Sequence, residues 1–565
     1  MKSVLCISML GLVMASAAVA QTPTVPAAGI VNSASYAPVG LPNSFIAQGS
    51  FFTIFGTNLG PATSPPIQYP LPTNLGGVQV KITAGGTTTN AFLWFVSPGQ
   101  VNAILPQTVP TGAATLTVTY NNATSASASF QVVASSFGIF AANSAGSGPG
   151  IITDASYRLN TQTASAHPGD AVIVWGTGLG VSPGDDGTKP PTQTDLTSVP
   201  VTVYVGTQSA TVLYRGRAPS TAEDQINITV PSGVTGCHVP VAVQIGNIVS
   251  NWVTMAIAAS GSVCSDPTGP TSSDLANFLA NGGSFGSVLL SRSTTSSPGL
   301  PPPFGTGQPT TSTTDSGSGS FFKYTAQQLA LAQNPLQTFT LGACVVYVFS
   351  GQAASRSDPI KPVGLDAGTA LSVNGPNGIK QLTTSSLLGK GFYGATLGGG
   401  TPPNNTPLYL DAGSYGVNGP GGADVGSFSL NLTVPPNLTW TNMSSVDTIT
   451  RSNGQLVTWT GGDPNGVITI TGFSFKLGTN QNGSDSVGAT FICTAPDSAG
   501  QFTIPAPVLL SLPPSAVIAP IPGVSIATGQ LSISSDTQPV KFTAPGLDYA
   551  FGLSSVSVGK SVTYQ

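Results

Sequence analysis

The chain has 565 residues, of which 40% are hydrophobic and only 6% charged, with 69 glycines, 48 prolines and a formal net charge of −4. That length predicts several domains, and so few ionised groups leave the surface to Ser, Thr, Asn, Gln and Gly, as in turn-rich extracellular β proteins. The thin charge forms no basic cluster or stripe, which excludes a nucleic-acid partner.

The N-terminus MKSVLCISMLGLVMASAAVAQ carries one Lys, an apolar run and the small-residue ending Ala18-Val19-Ala20, so residues 1–20 are predicted to be a secretory signal cut before Gln21. Cys6 lies too early in that run to be a lipoprotein cysteine. No later segment reaches the roughly 18 unbroken apolar residues of a membrane helix, so no transmembrane segment is expected after cleavage.

Two stretches then repeat in order. GIVNSASYAP (29–38) matches GIITDASYRL (150–159), and GSFFTIFGTNLG (49–60) matches GDAVIVWGTGLG (169–180). Asn102-Ala-Ile-Leu-Pro106 matches Asn227-Ile-Thr-Val-Pro231, each followed by Gly and an alternating strand, ATLTVTY or VPVAVQI. Four landmarks in one order make two copies of one domain, 21–148 and 149–262. Alternation puts Phe52 and Ile54, like Val172 and Val174, on one face of a strand, with Phe51, Thr53 and Phe55 on the other.

VIVWGTGLG raises the question of a dinucleotide loop. That fingerprint needs a helix after its glycines, and VSPGDDGTKPP cannot start one. Gly56, Gly60, Gly176, Gly178 and Gly180 are therefore predicted to be turn glycines, supplying positive φ or room for close backbone approach.

A strand ending in Gly-Thr-Asn-Leu-Gly resembles the signature of IPT/TIG domains, which have immunoglobulin-like folds. GIVNSASY, GTNLG, FVSPGQVNAILP, GIF, GTGLG, DQINITVP and SNWVTMAIA together resemble a paired repeat of secreted, uncharacterised bacterial proteins, over about residues 25–262. The resemblance implies fold and export. Its members serve as spacers, interaction modules or accessory domains, and it brings no catalytic residue. The C-terminal half carries no such resemblance.

Without Cys6, four cysteines remain in an oxidising compartment, and three pairings are open. The favoured one joins Cys237 to Cys264, because CHVPVAVQIG and NWVTMAIA read as hairpin arms, and Cys344 to Cys493. No CxxC occurs to suggest a metal site.

Residues 263–321 include SSPGLPPPFGTGQPTTSTTDSGSGS and read as a Pro/Gly/Ser/Thr linker. Within or beside it, SDLANFLANGG and YTAQQLALAQN have helix-forming composition. From 322 to 565 strand patterns return, in ACVVYVFSG, FSLNLTVP, GVITITGFSF and ATFICTAP. LDAGTALSVNGPNG (365–378) is echoed by LDAGSYGVNGPGG (410–422). The fold class expected is all-β: tandem immunoglobulin-like sandwiches followed by one or two further sandwich domains.

Chemistry is sparse. The chain has two histidines, His167 in a turn-like AHPGD and His238 beside Cys237, and one glutamate, Glu223. Gly282-Gly-Ser284-Phe-Gly286 fits the Gly-x-Ser-x-Gly pattern without the strand-to-helix context of a nucleophile elbow. No catalytic residue is nominated and no enzyme is expected. No cofactor is expected either: Asp366 and Asp411 have carboxylates suited to calcium, but Asp before Gly reads first as an Asx-turn. Trp440 and Trp459 sit beside small polar residues and are the candidates for stacking a sugar. The expected role is a non-catalytic secreted or cell-surface protein in adhesion, matrix contact or protein interaction, its partner an extracellular protein or polysaccharide. The alternatives are a carbohydrate-binding array and a hydrolase in 322–565.

Overall fold

The computed structural model describes residues 21–266, 269–299, 308–332, 340–351, 361–384, 389–400, 405–478, 486–521 and 524–565. The expected signal sequence, residues 1–20, and the PPPFGTG stretch lie outside them. The protein is all-β, with tandem immunoglobulin-like sandwiches leading into a larger β region.

In the first repeat, β1 (Ile30–Asn32), β2 (Phe51–Phe55), β3 (Gln79–Ala84), β4 (Phe92–Val96), β5 (Gln100–Ile104), β6 (Gly112–Tyr120) and β7 (Ala128–Val133) build two sheets. One has the order β1-β2-β5-β4, and the other carries β7-β6-β3. Phe52 and Ile54 of β2 are fully buried, and they pack with Val80, Ile82, Leu116 and Val118 from the facing sheet. Phe52 and Ile54 thus share the core face that the alternation predicts, while Thr53 on the other face is also buried, with Phe51 and Phe55 half-buried beside it.

The second repeat uses the equivalent strands β8 (Ala171–Thr177), β9 (Val201–Val205), β10 (Gln208–Arg217), β11 (Asp224–Thr229), β12 (Gly236–Ile245) and β13 (Val253–Ile257). β8 pairs β11, and β11 pairs β10, as β2, β5 and β4 do in the first copy. β10 is long enough to pair β9 as well, which joins both layers into one 10-stranded sheet.

The turn glycines divide into two kinds. Gly178 and Gly180 hold φ of +111° and +116°, and in the first copy Asn58 takes the left-handed position instead, at φ +56°. Gly56 and Gly176 are there for space: a Cβ on them would run into Thr24 O and Gly138 O respectively. Gly60 is packed closely against Val78 and Ser97.

The linker reading of 263–321 is corrected. Residues 272–281 form α1 (Ser272–Asn281), capped by the Thr271 side chain. β14 (Gly283–Ser297) and β15 (Thr310–Tyr324) then pair over fifteen residues, from Gly283↔Tyr324 to Ser297↔Thr310. α2 (Ala326–Leu331) follows with a capping box made by Thr325 and Gln328. Composition misleads here because Ser and Thr serve a half-solvated strand as well as they serve a linker.

These strands sit inside a 15-stranded sheet. Its path runs from β16 (Cys344–Ser350) through β17 (Phe392–Gly400), β18 (Phe428–Val434), β19 (Val467–Lys476), β20 (Val487–Pro496), β21 (Gly529–Asp536) and β22 (Tyr549–Tyr564) in the spatial order β16-β20-β19-β21-β22-β14-β15-β17, with β18 at the far edge. The inner face carries Leu290, Ile470, Leu531 and Val556, packed with Phe428, Leu430 and Leu432 in one core. The opposite face is hydroxylated: Thr469, Ser534, Ser557, Ser293 and Thr314 lie in register across five neighbouring strands. The LDAG echo supplies adjacent antiparallel strands, with Val373 of one copy opposite Val417 of the other.

Candidate functional site

Two disulfides are present, Cys237–Cys264 and Cys344–Cys493. The second joins residues directly opposite each other on β16 and β20.

The tryptophan candidates are corrected. Trp440 and Trp459 are 4% and 3% exposed, and both belong to the C-terminal core. Their indole N–H groups donate to Asn442 Oδ1 at 2.7 Å and Asp497 O at 2.8 Å. No sugar can stack on a ring in that setting. Trp175 and Trp252 are also satisfied, by Thr153 Oγ1 and Ser511 Oγ. Trp94 differs: it is half-buried, and its indole N–H has no hydrogen bond among the described residues.

Trp94 owes its orientation to a β-bulge. Along the β4–β5 ladder Leu93 faces Ala103 and Phe95 faces Asn102, so Trp94 is the extra residue between them. A bulge re-aims one side chain at the expense of local pairing. The second copy has the same irregularity, with Val212 opposite Ile228 and Tyr214 opposite Asn227. There the extra residue is Leu213, 55% exposed. The scaffold is duplicated, but only the first copy places an indole on it.

Around Trp94 lies a cleft of about 240 Å³ whose walls include Tyr36, Phe51 and Phe140, with Ser33, Asn102 and Ser144 as polar groups. Phe51 meets Trp94 edge to face at 5.2 Å between centroids. Asn102 Oδ1 accepts from Gln100 Nε2 at 2.7 Å and from Thr53 Oγ1 at 3.2 Å, which fixes the amide. Its Nδ2 has no acceptor among the described residues, so the cleft holds two unused donors, Asn102 Nδ2 and Trp94 Nε1. No charged side chain lines it. Tyr36 at φ +47° and Ser144 at φ +55° both border the cleft in left-handed conformations that L residues avoid. Each costs of order 1–3 kcal/mol and persists only where its surroundings enforce it.

Phe140 and Ser144 precede the boundary expected at 149, but Gly138 and Ile139 pair with Thr177 and Gly176 and Ile139 and Ala141 sit in the second repeat's core, so this segment packs with the second repeat and the cleft needs the two repeats fixed against each other. Phe51 N donates to Thr177 Oγ1 at 3.0 Å, and Asn32 Nδ2 reaches Ser136 O and Thr177 O. Gln107 accepts from Ser182 N at 2.8 Å, and its amide donates to Ser182 O and Asp185 O. Behind this seam the fully buried Arg217 pairs with Asp185 and Asp224, each at 3.0 Å, and donates to Gly180 O. Asp224 Oδ2 accepts from Gly178 N and Leu179 N at 2.8 Å each, so the glycine turn of the repeat is clamped by a carboxylate. Burial pushes the Asp224 carboxyl up to about 6, with Arg217 and those two N–H groups pulling the other way. The repeat motif thus builds a rigid junction.

The remaining candidates fall elsewhere. His167 is exposed, close to Asp170 Oδ2 and Gly261 O. Ser284 lies inside β14, which continues to Ser297, so no nucleophile elbow forms there. Asp366 Oδ1 accepts from Gly368 N at 2.8 Å as an Asx-turn, while Asp411 faces Asn377 and Arg292. Among the described residues no three His, Cys, Asp or Glu gather where they could hold a metal. No described helix is long and apolar enough to cross a membrane.

No family model matches the chain, and no curated protein does. Among solved structures it is similar to the SGBP-B from a complex xyloglucan utilization locus in Bacteroides uniformis, at 11% identity over 67% of this chain and 86% of that one, with a TM-score of 0.16. It is also similar to domains 5–6 of the S-layer protein SbsC, at 12% identity over 42% of this chain and 100% of that one, with a TM-score of 0.16. The likeness to the plexin A4 extracellular region has 15% identity and a TM-score of 0.16, covering 43% of this chain and only 19% of the plexin's length.

Proposed function

We propose that this is an exported, non-catalytic protein built on IPT/TIG-like repeats, which makes contact with an extracellular matrix or cell surface by holding a neutral saccharide in the Trp94 cleft. The observation that carries this reading is the indole presented by the bulge, with its N–H and that of Asn102 unused beside it. A pyranose ring has an apolar C–H face that covers an aromatic ring and a rim of hydroxyls that accept from such donors. An uncharged lining suits an uncharged sugar, because a carboxylate or ammonium entering it would lose hydration without finding a counter-charge.

Retention of the disulfide-bonded chain on insoluble neutral polysaccharides tests the proposal, with Trp94→Ala and Trp440→Ala compared. Binding that falls about tenfold or more in Trp94→Ala, equivalent to about 1.4 kcal/mol, supports the cleft. Binding that survives Trp94→Ala in a folded protein removes it.

A further inference from the structure

The hydrogen bonds behind the Trp94 cleft fix which of its polar atoms give a proton and which take one. Thr53 Oγ1 donates to Asn102 Oδ1 at 3.2 Å, and it also lies 2.8 Å from Ser33 Oγ. A threonine hydroxyl has a single proton, and here it is spent on Asn102, so Ser33 is the donor in the second contact. The Ser33 proton is thus directed inward, to the fully buried Thr53, and the Ser33 oxygen is left as an acceptor. Gln100 Nε2 also donates to Asn102 Oδ1, at 2.7 Å, which holds that amide with Nδ2 as its free donor.

The cleft therefore offers two N–H donors, Asn102 Nδ2 and Trp94 Nε1, and an oriented acceptor, Ser33 Oγ. Neither nitrogen is among the fully buried unpaired atoms of the described residues, so both are accessible to a ligand. Tyr36 and Ser144 add hydroxyls, and Ala34, Phe51, Phe140 and Ala141 complete the lining with carbon. Two donors, an acceptor and an apolar wall complement a secondary amide that ends in a methyl group. Its carbonyl oxygen has two lone pairs for two N–H groups, its own N–H needs an oxygen, and its methyl covers carbon. The direction of the indole N–H separates such a group from a plain hydroxyl. A pyranose stacked on Trp94 carries its equatorial hydroxyls a van der Waals distance above the indole, whereas the N–H lies in the indole plane. An acetamido carbonyl sits two bonds further from the sugar ring than a hydroxyl oxygen, and so reaches past the indole edge.

We propose that the sugar held in the Trp94 cleft is an N-acetylated amino sugar, an inference that rests on the reading of the cleft as a saccharide site. The acetamido carbonyl accepts from Asn102 Nδ2 and Trp94 Nε1, the amide N–H donates to Ser33 Oγ, and the methyl packs against Phe140 and Ala141. The unit is uncharged, as the lining requires. A free amino sugar would bring an ammonium group to two N–H donors, and the site should reject it.

The probes are tri-N-acetylchitotriose and cellotriose, which share a backbone of β-linked glucose units and differ in carrying an acetamido or a hydroxyl group beside each anomeric carbon. Both are titrated calorimetrically into the disulfide-bonded chain. The expected result is about tenfold or more tighter binding of the acetylated trisaccharide, with saturation-transfer NMR strongest at its acetamido methyl. Trp94→Phe keeps a ring and removes the N–H, and Ser33→Ala removes the acceptor. Each should cut the preference for the acetylated sugar roughly fivefold, and both side chains are only half-buried, so the fold should tolerate the changes. Equal affinity for the two trisaccharides, lost in Trp94→Ala, would overturn the acetamido assignment and leave the saccharide reading standing. Binding of neither would also overturn the assignment, and retention on other neutral polysaccharides then decides the broader reading. A preference unchanged in both Trp94→Phe and Ser33→Ala would overturn it as well.

Discussion

The two disulfides close loops of very different length, 149 and 27 residues, and this sets up a comparison. Cross-linking lowers the entropy of the unfolded chain with the logarithm of the loop, which gives about 5 kcal/mol for Cys344–Cys493 and about 3.5 kcal/mol for Cys237–Cys264. All four cysteines are buried, at 4% exposure or less, so replacing either pair by alanines removes the same atoms from comparable packing. The loop term is then what separates the two double variants. For Cys344→Ala/Cys493→Ala the loss translates into roughly 10 °C in the unfolding midpoint of a region this large. Differential scanning calorimetry resolves it, because the transition that carries the 15-stranded sheet should move while that of the first repeat stays. A larger loss from the Cys237/Cys264 pair, or a midpoint unchanged without Cys344–Cys493, would refute the reasoning. The latter result would mean that the seven-residue β16–β20 ladder already holds the strands in the unfolded ensemble.

Two further outcomes follow from the inter-repeat junction. The folded value of Asp224, about 6, lies above its unfolded value of 3.8, so its contribution is fully present below 3.8 and is lost as pH rises through 6. Urea unfolding should therefore show wild type gaining on the order of 2–3 kcal/mol over Asp224→Asn as pH falls from 7 to 4, and parallel pH profiles for the two proteins would contradict this. Gly178→Ala forces a side chain into a backbone with φ +111° and into the space of Ser136 O. It should cost several kcal/mol, whereas Gly→Ala at a backbone that alanine can adopt stabilises by about 0.4–1 kcal/mol, and circular dichroism melts will show whether it does.

Much of the fold was legible because its signals are periodic. The repeat landmarks, the in-out alternation of Phe52 and Ile54 and the hairpin holding Cys237 near Cys264 all follow from local rules. The β14–β15 hairpin was hidden because Ser, Thr and Gly leave no apolar alternation on its solvated half, although Val288, Leu290 and Phe321 mark its buried end. Trp94 was hidden for a different reason. A bulge shifts facing by one residue, so alternation assigns the indole to a regular strand position when it actually points into a cleft. Trp440 and Trp459 misled because small polar neighbours in sequence say nothing about which sheet covers a strand.

The central claim, that the bulge-borne indole holds a neutral saccharide, is tested most directly by isothermal titration of soluble neutral oligosaccharides into the wild-type chain and into Trp94→Ala. The account predicts saturable heat in the wild type for at least one neutral sugar and a drop of about tenfold or more in affinity on removing the indole, equivalent to about 1.4 kcal/mol, with the thermal midpoint of the first repeat preserved. Equal affinity in both proteins, or binding only of charged sugars, would contradict it.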